Sequence, residues 1–482
     1  MVMFTLITLL FLDFTGTMHR WFGWLAKIQF LPALLSLHVI IVVLLLVMTL
    51  LLGRVYCSVV CPLGVFQDIV AWWAKRRKKH RYRYSPAKSW LRYTVLTLFV
   101  VSMIVGIGSL VALLAPYSSY GRMASTLSQP LWMWCNNGLA FLAERRDSYA
   151  FYTVDVWMKS LSTLLVAVVT FVVLVILAWR NGRTYCNTIC PVGTLLGFVA
   201  RFSWLKPVID ISKCINCGLC ARNCKAACIN SKEHKIDYSR CVACMDCIET
   251  CHKGAIKYVH PVSSKEKNTT EEIDSGLRSF LALTSFTAVA SLVRAQGKKV
   301  DGGLAIIEEK QIPQRITALT PPGSLSAQNM ARHCTACQLC VSACPNGVLR
   351  PSGELMRWMQ PEMSFERGYC RPECTRCSEV CPTGAIRPIT LEEKSATHVG
   401  HAVWIKKNCV VLTDHVSCGN CARHCPVGAI QMVPIDPKDE ASLLIPVVNA
   451  ERCIGCGACE NLCPARPFSA IYVEGHEVHR VN

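Results

Sequence analysis

The sequence predicts a protein of two parts: an α-helical transmembrane bundle of about four spans, followed by three small α+β modules built around cysteine. Two observations carry the prediction. Apolar runs at residues 31–52, 93–115 and 161–179 are each long enough to cross roughly 30 Å of hydrocarbon as a helix. Beyond them, most of the 30 cysteines fall into six sets of four. This divides the chain into a membrane part (1–204), a first module (205–260), a linker (261–325) and a pair of further modules (326–482).

Composition agrees. Of 482 residues, 52% are hydrophobic and 17% charged, which excludes intrinsic disorder and disfavours an ordinary soluble enzyme. The formal net charge is +19, but many lysines and arginines flank apolar runs instead of interleaving with aromatics, so nucleic acid is not an expected partner.

Residues 1–12 are apolar yet too short to span alone, so they form a partial span or continue one that starts upstream. No basic segment precedes them, a poor fit to a signal peptide. Lys75, Arg76, Arg77, Lys78, Lys79, Arg81, Arg83 and Lys88 follow one span, and Arg180, Arg183 and Arg201 follow the last. By the positive-inside rule both stretches are cytoplasmic. Residues 116–155 then form a polar loop outside, with Trp132, Trp134 and Trp157 near the interface and both ends of the bundle inside.

The cytoplasmic ends carry a repeat. GRVYCSVVCPLG (53–64) and GRTYCNTICPVG (182–193) match at Gly, Arg, Tyr, Cys, Cys, Pro and Gly. Two helix pairs related by pseudo-symmetry would bring Cys57, Cys61, Cys186 and Cys190 to one site. These are either helix-terminating turns with small buried cysteines or a redox or metal centre; the spacing leaves both open. Cys135 stands alone.

Four cysteine sets share the spacing C-x2-C-x2-C-x3-C: Cys214, Cys217, Cys220, Cys224; Cys241, Cys244, Cys247, Cys251; Cys334, Cys337, Cys340, Cys344; and Cys453, Cys456, Cys459, Cys463. Two are stretched at the front: Cys370, Cys374, Cys377, Cys381, and Cys409, Cys418, Cys421, Cys425. Three closely spaced thiolates can wrap three irons of one [4Fe-4S] cubane from a tight loop, while the fourth, on the helix that follows, points to the neighbouring cluster. Adjacent sets therefore pair into three bacterial-type two-cluster ferredoxin modules holding six cubanes.

The swap assigns Cys214, Cys217, Cys220 and Cys251 to one cluster, and Cys241, Cys244, Cys247 and Cys224 to its neighbour. It joins Cys334, Cys337 and Cys340 to Cys381, and Cys370, Cys374 and Cys377 to Cys344. It joins Cys409, Cys418 and Cys421 to Cys463, and Cys453, Cys456 and Cys459 to Cys425. Cys228 is spare: an alternative to Cys224 or an inert thiol. Proline follows four sets (Pro345, Pro382, Pro426, Pro464), with Lys225 and His252 in its place in the others. GAI after Cys251, Cys381 and Cys425 reads as a turn into a short closing strand. Structural zinc sites combine two distant C-x2-C pairs, a different pattern. No haem, Walker or dinucleotide motif is present. Six clusters near −2 each would lower the net charge to about +7.

His38 falls within a predicted span, where an imidazole needs a partner. It is a candidate proton acceptor at a quinol site or a helix–helix hydrogen bond. In the linker, residues 279–293 are apolar but too short for a comfortable span, a length that favours an amphipathic or buried helix; SGLRSFLAL with TAVAS is nonetheless similar to a twin-arginine export signal with Leu277 in place of one arginine.

The two C-x3-C-P motifs and CINCGLCARNCKAACI resemble the NapH-type ferredoxin subunits of periplasmic nitrate reductase systems, and more broadly the NosR-like membrane iron–sulfur proteins. From residue 327 onward, CGNCARHCPVGAI and CIGCGACENLCPARPFSAIYVEGHEVHR resemble the NapG-type four-cluster subunit. The resemblance implies a NapH–NapG fusion in the cytoplasmic (inner) membrane that draws electrons from menaquinol in the quinone pool and relays them to a terminal reductase or other redox protein. The first module would be cytoplasmic and the four-cluster domain periplasmic. A redox sensor or metalloenzyme assembly factor is the alternative, and an ion-pumping subunit is disfavoured by the scarcity of intramembrane acids.

Overall fold

The computed structural model describes residues 1–78, 82–260, 308–438 and 442–481. The apolar linker segment and the export-like motif lie outside the described residues.

Leu161–Asn181 forms one helix, opened by the Ser160 hydroxyl accepting from the Thr163 amide and closed by Gly182 at φ 66°. Among the described residues it alone is long and apolar enough to cross a membrane, and only 22% of its most apolar stretch is buried. The other two predicted spans are broken. Residues 31–52 split into Phe30–Leu35 and Val39–Leu52, because the Ser36 hydroxyl bonds the Pro32 carbonyl (2.8 Å) and Leu37 turns to φ 56°. Side-chain competition of this kind ends helices. Residues 93–115 split into Ser89–Val105 and Gly108–Leu114, with Gly106 at φ 85° as a left-handed cap.

Most of the stretch 116–155, read above as a polar loop, is helix; only residues 145–155 are turn and coil, and these are mostly exposed. Pro116–Met123, Ala124–Ser128 and Gln129–Glu144 run on as helix with a π-turn in the middle, and every residue of Pro116–Met123 is buried. Proline at the first helical position costs no hydrogen bond, which lets the chain restart directly after the Gly108–Leu114 helix. One face of the Val2–Leu12 helix is interior, with Ile7, Leu10 and Phe11 buried, while Met1 and Val2 are exposed.

The cysteine-rich regions sit at opposite ends of the three apolar helices. At one end of Leu161–Asn181, Lys159 Nζ donates to the Val341 carbonyl (3.2 Å) and Arg350 Nε to the Lys159 carbonyl (3.1 Å). At the other end, the Arg183 amide donates to the Lys225 carbonyl (2.8 Å). Ser89–Val105 behaves likewise, with Arg92 on the Ser239 hydroxyl (3.0 Å) at its start and Gln360 against Gly108 beyond its end. For Val39–Leu52, Gly384 packs near Ser36 before the start, and Tyr258 Oη donates to the Leu52 carbonyl (2.5 Å) at the end. Twenty-one residues at 1.5 Å each put about 31 Å between the two regions along the longest helix.

Each cysteine-rich region is built from two-stranded antiparallel pieces. Lys206–Ile209 pairs with Ile256–Val259 in the first module, and Ile430–Pro434 with Leu444–Val448 in the last. The closing strand expected after GAI forms at Ile256 and Ile430 but not at Ile386. A longer pair, Thr397–Trp404 with Ile471–Val481, ties the C-terminal cysteine-rich region together. The linker's final part belongs to this region: Lys310 donates to the carbonyls of Glu460, Asn461 and Cys463, and Arg315 pairs with Glu460 (2.6 Å).

Candidate iron–sulfur centres

The four regular cysteine sets share one backbone device. The residues on either side of the second cysteine both take positive φ: Asn216 and Gly218, Ala243 and Met245, Ala336 and Gln338, Gly455 and Gly457. Left-handed backbone at non-glycine positions is uncommon, and its recurrence here follows from what the loop does. Such turns bring successive N–H groups into a concavity that suits an anion.

Four cavities are each lined by one predicted swapped set. Cys214, Cys217, Cys220 and Cys251 line one. Cys409, Cys418, Cys421 and Cys463 line the second, and Cys425, Cys453, Cys456 and Cys459 the third. The fourth holds Cys224, Cys241, Cys244 and Cys247, with Cys228 beside them. In the remaining module the Cys340 thiol is pushed up by burial and then by Cys337, Cys334 and Cys381. Burial also pushes up the Cys370 thiol, with Cys344 and Cys374 adding to the rise against Lys394.

These thiols stand apart around a hollow. Among the described residues no three Cys, His, Asp or Glu converge closely enough to hold a single metal ion. The donor chemistry and spread fit a multinuclear iron–sulfur core, with four thiolates bound from outside. Burial raises Cys337 and Cys456 to about 12, so these thiols keep their protons at neutral pH until metal displaces them.

Cys228 is not remote. Its sulfur lies 3.5 Å from that of Cys224, and this hydrogen bond lowers the Cys224 thiol despite burial. Lys225 replaces the usual proline for a visible reason: its ammonium bridges Asp68 (3.2 Å) and Asp246 (3.1 Å). Proline could offer no such link between the first module and the helix Pro62–Lys78.

The repeat cysteines do come together. Cys57, Cys61, Cys186 and Cys190 are all buried, and they lie within electrostatic reach of one another: Cys190 faces Cys186, Cys61 and Cys57, and Cys61 faces Cys186 and Cys57. Arg54 donates to the Cys186 carbonyl (3.3 Å), and Arg183 to the Cys57 carbonyl (2.6 Å). Gln67 Nε2 donates to Cys186 Sγ (3.2 Å), and the Gly193 amide to Cys190 Sγ (3.3 Å). Arg183 also grips Asp68 with two nitrogens at 2.7 and 2.5 Å. Cys135 is exposed and apart.

His38, read above as lying inside a span, instead caps the break before Val39–Leu52, exposed and bonded to Ser36 Oγ (2.9 Å). It lines none of the cavities described here. A larger cavity, about 780 Å³, opens elsewhere, lined by Met133, Trp134, Trp157, Lys159, Cys344 and Tyr369 among others. Burial lowers the Lys159 ammonium to about 8. Sequence reasoning missed this site, since its walls come from segments far apart in the chain, among them 125–134, 152–164 and 338–371; the one visible signal was a lysine two residues before the apolar run 161–179.

A bundle of apolar helices with cubane-type thiolate sets at both ends defines a ferredoxin-type iron–sulfur protein. The 4Fe-4S binding domain family model matches residues 37–81 and 163–211, and the 4Fe-4S dicluster domain model matches 333–402 and 416–466. The methylamine utilization ferredoxin-type protein MauM of Paracoccus denitrificans is 32% identical over 195 residues, 38% of this chain and 83% of MauM. MauM of Methylobacillus flagellatus is 33% identical over 185 residues, 36% of this chain and 76% of its own length. The ferredoxin-type protein NapH of Haemophilus influenzae is 28% identical over 176 residues, 36% of this chain, which covers about half (48%) of NapH. The chain belongs to this family of ferredoxin-type 4Fe-4S proteins. No solved structure matches it.

Proposed function

We propose that the chain is a membrane-held electron carrier, a NapH-like part fused to a NapG-like part, that takes electrons from a reduced quinone and delivers them to a redox partner. The observation that supports this most is that four of the six predicted swapped sets each line a cavity of their own. The six sets hold six [4Fe-4S] clusters, and each bound cubane supplies a one-electron couple. Burial and the inward-turned amides set each potential.

Support for a multi-pass bilayer location comes from the helix faces. Ile40, Leu44, Val101, Ile104, Val169 and Val172 are exposed without polar cover, a pattern a soluble surface avoids. Exposed tryptophans stand toward both ends: Trp72, Trp73 and Trp90 on the first module's side, Trp132 and Trp134 on the other. Tryptophan favours both membrane interfaces. The basic run at 75–78 accompanies the first module, consistent with a cytoplasmic position for it and a periplasmic one for the four-cluster domain.

The 780 Å³ cavity offers a quinol ring an aromatic-lined seat within the usual pocket range. Cys344 is close to take up electrons through its centre, and Lys159 is poised to exchange a proton. His38 has no such setting. Rapid mixing of the purified chain with a menaquinol analogue tests the reading. Reduction seen as cluster bleaching, slowed at least about tenfold by Met133→Trp but unchanged with dithionite, is the expected result. Clusters that dithionite reduces but no quinol does would favour the sensing or assembly reading.

A further inference from the structure

We infer that Cys57, Cys61, Cys186 and Cys190 together hold one further iron–sulfur cluster, shared between the two copies of the repeat and set between the two cysteine-rich regions. The inference rests on the six-cubane reading and extends it. The family match covers each repeat separately; what the geometry adds is a single shared site.

Electrostatics argue for an anion there. Arg54 is fully buried, yet its partners are all neutral: Asn187 Oδ1 (3.0 Å), the Ser239 and Cys186 carbonyls (3.2 and 3.3 Å) and Cys57 Sγ (3.8 Å). Its Nε has no partner, nor does Oε1 of the buried Gln67, whose amide nitrogen touches Cys186 Sγ. A buried guanidinium whose hydrogen-bond partners are all neutral is costly, although Cys241 of the neighbouring set also lies within its electrostatic reach. Four thiolates on an iron–sulfur core carry the negative charge that removes the cost.

Position argues for a relay. On one side, Arg54 reaches Ser239 and Asn187 reaches the Ala226 carbonyl (3.1 Å), both beside the Cys224–Cys228–Cys241 cavity. On the other side, Tyr185, next to Cys186, hydrogen-bonds Ser119 and faces Arg122. Gly121 lies against the Cys337 carbonyl. The nest thus divides the interval between the two cysteine-rich regions. Transfer through it is outer-sphere: one electron leaves the reduced centre and enters the oxidised one, quinol being the ultimate reductant, and no bond forms or breaks.

The test is iron, acid-labile sulfide and thiol accessibility in the full chain, reconstituted anaerobically in detergent. Wild type should hold about two to four irons beyond the roughly 24 of six cubanes, and Cys57→Ser/Cys186→Ser should lose only that surplus. In native wild type the four thiols should resist alkylation until iron is stripped. Equal iron in both proteins, with these thiols freely alkylated or joined as disulfides, overturns the inference. If the double variant loses all iron through misfolding, the wild-type alkylation pattern decides alone. Failure of the six-cubane reading shows separately, as wild-type iron far below 24.

Discussion

Arg54 and Arg183 exchange partners across the internal repeat. Each sits at the same place in G-R-x-Y-C, and each guanidinium reaches the carbonyl of the other copy's first cysteine, Arg54 that of Cys186 (3.3 Å) and Arg183 that of Cys57 (2.6 Å). The reciprocity ties two helix pairs 129 residues apart into one pseudo-symmetric unit. The copies diverge in charge, because Arg183 holds Asp68 while Arg54 holds no carboxylate.

Removing Arg183 therefore leaves Asp68 with Lys225 alone. Breaking one side of a buried pair costs about 3–5 kcal/mol, so Arg183→Leu should lower the melting temperature in detergent markedly. Arg183→Leu/Asp68→Leu should recover part of the loss. A double variant as unstable as the sum of two singles contradicts the coupling.

The swapped assignment makes a prediction that spacing alone does not. Cys251→Ser should disable the centre built on Cys214, Cys217 and Cys220 and spare the one built on Cys241, Cys244 and Cys247; Cys224→Ser should do the reverse. Each should remove about four irons, or about one when a three-iron remnant survives. Cys228→Ser should keep the iron count. Iron analysis with paramagnetic resonance of the reduced protein distinguishes these outcomes, and a Cys228 variant that loses a cluster would promote that thiol to ligand.

The cysteine sets were legible because ligation imposes a fixed local spacing, and convergence of the repeat cysteines could be foreseen from seven matched positions. The breaks at Ser36–His38 and Gly106 were not, since hydropathy integrates over a run and ignores one hydroxyl or one glycine. Residues 116–155 read as a loop because serines and glycines there looked solvated. Those of 116–125 are instead buried, with Ser119 and Ser125 bonded to backbone carbonyls. The buried arginines were visible in the repeat, but sequence assigns charge to the surface by default, and only the fold shows what they face.

Gly64 and Gly193 occupy matched places after the second cysteine of each repeat. A Cβ at either would land on the carbonyl oxygen of the first cysteine, Cys57 or Cys186, and near the opposite repeat's arginine. Backbone cannot yield as a flexible side chain does, so Gly64→Ala and Gly193→Ala should each destabilise by about 1–3 kcal/mol. Gly138→Ala, where nothing lies within 4 Å, is the neutral control. Thermal melts of the three variants in one detergent check this, and an unaffected Gly193 variant would argue against the tight apposition.

Acid should loosen the C-terminal cysteine-rich region through His479. Its imidazole is buried against the Thr320 hydroxyl (2.9 Å), and burial, with a smaller contribution from His476, lowers it to about 4. The unfolded chain binds this proton near pH 6.5, so between roughly pH 6.5 and 4 the unfolded state holds more protons. Stability contributed at neutral pH is therefore lost as pH falls through that window, by up to about 3 kcal/mol at one pKa unit per 1.36 kcal/mol. His479→Gln, which keeps a hydrogen-bonding group but cannot titrate, should flatten the fall in melting temperature between pH 7 and 5 relative to wild type. Cluster lability in acid is common to both proteins and cancels in the difference. An identical slope in the two would show that the acid response lies elsewhere.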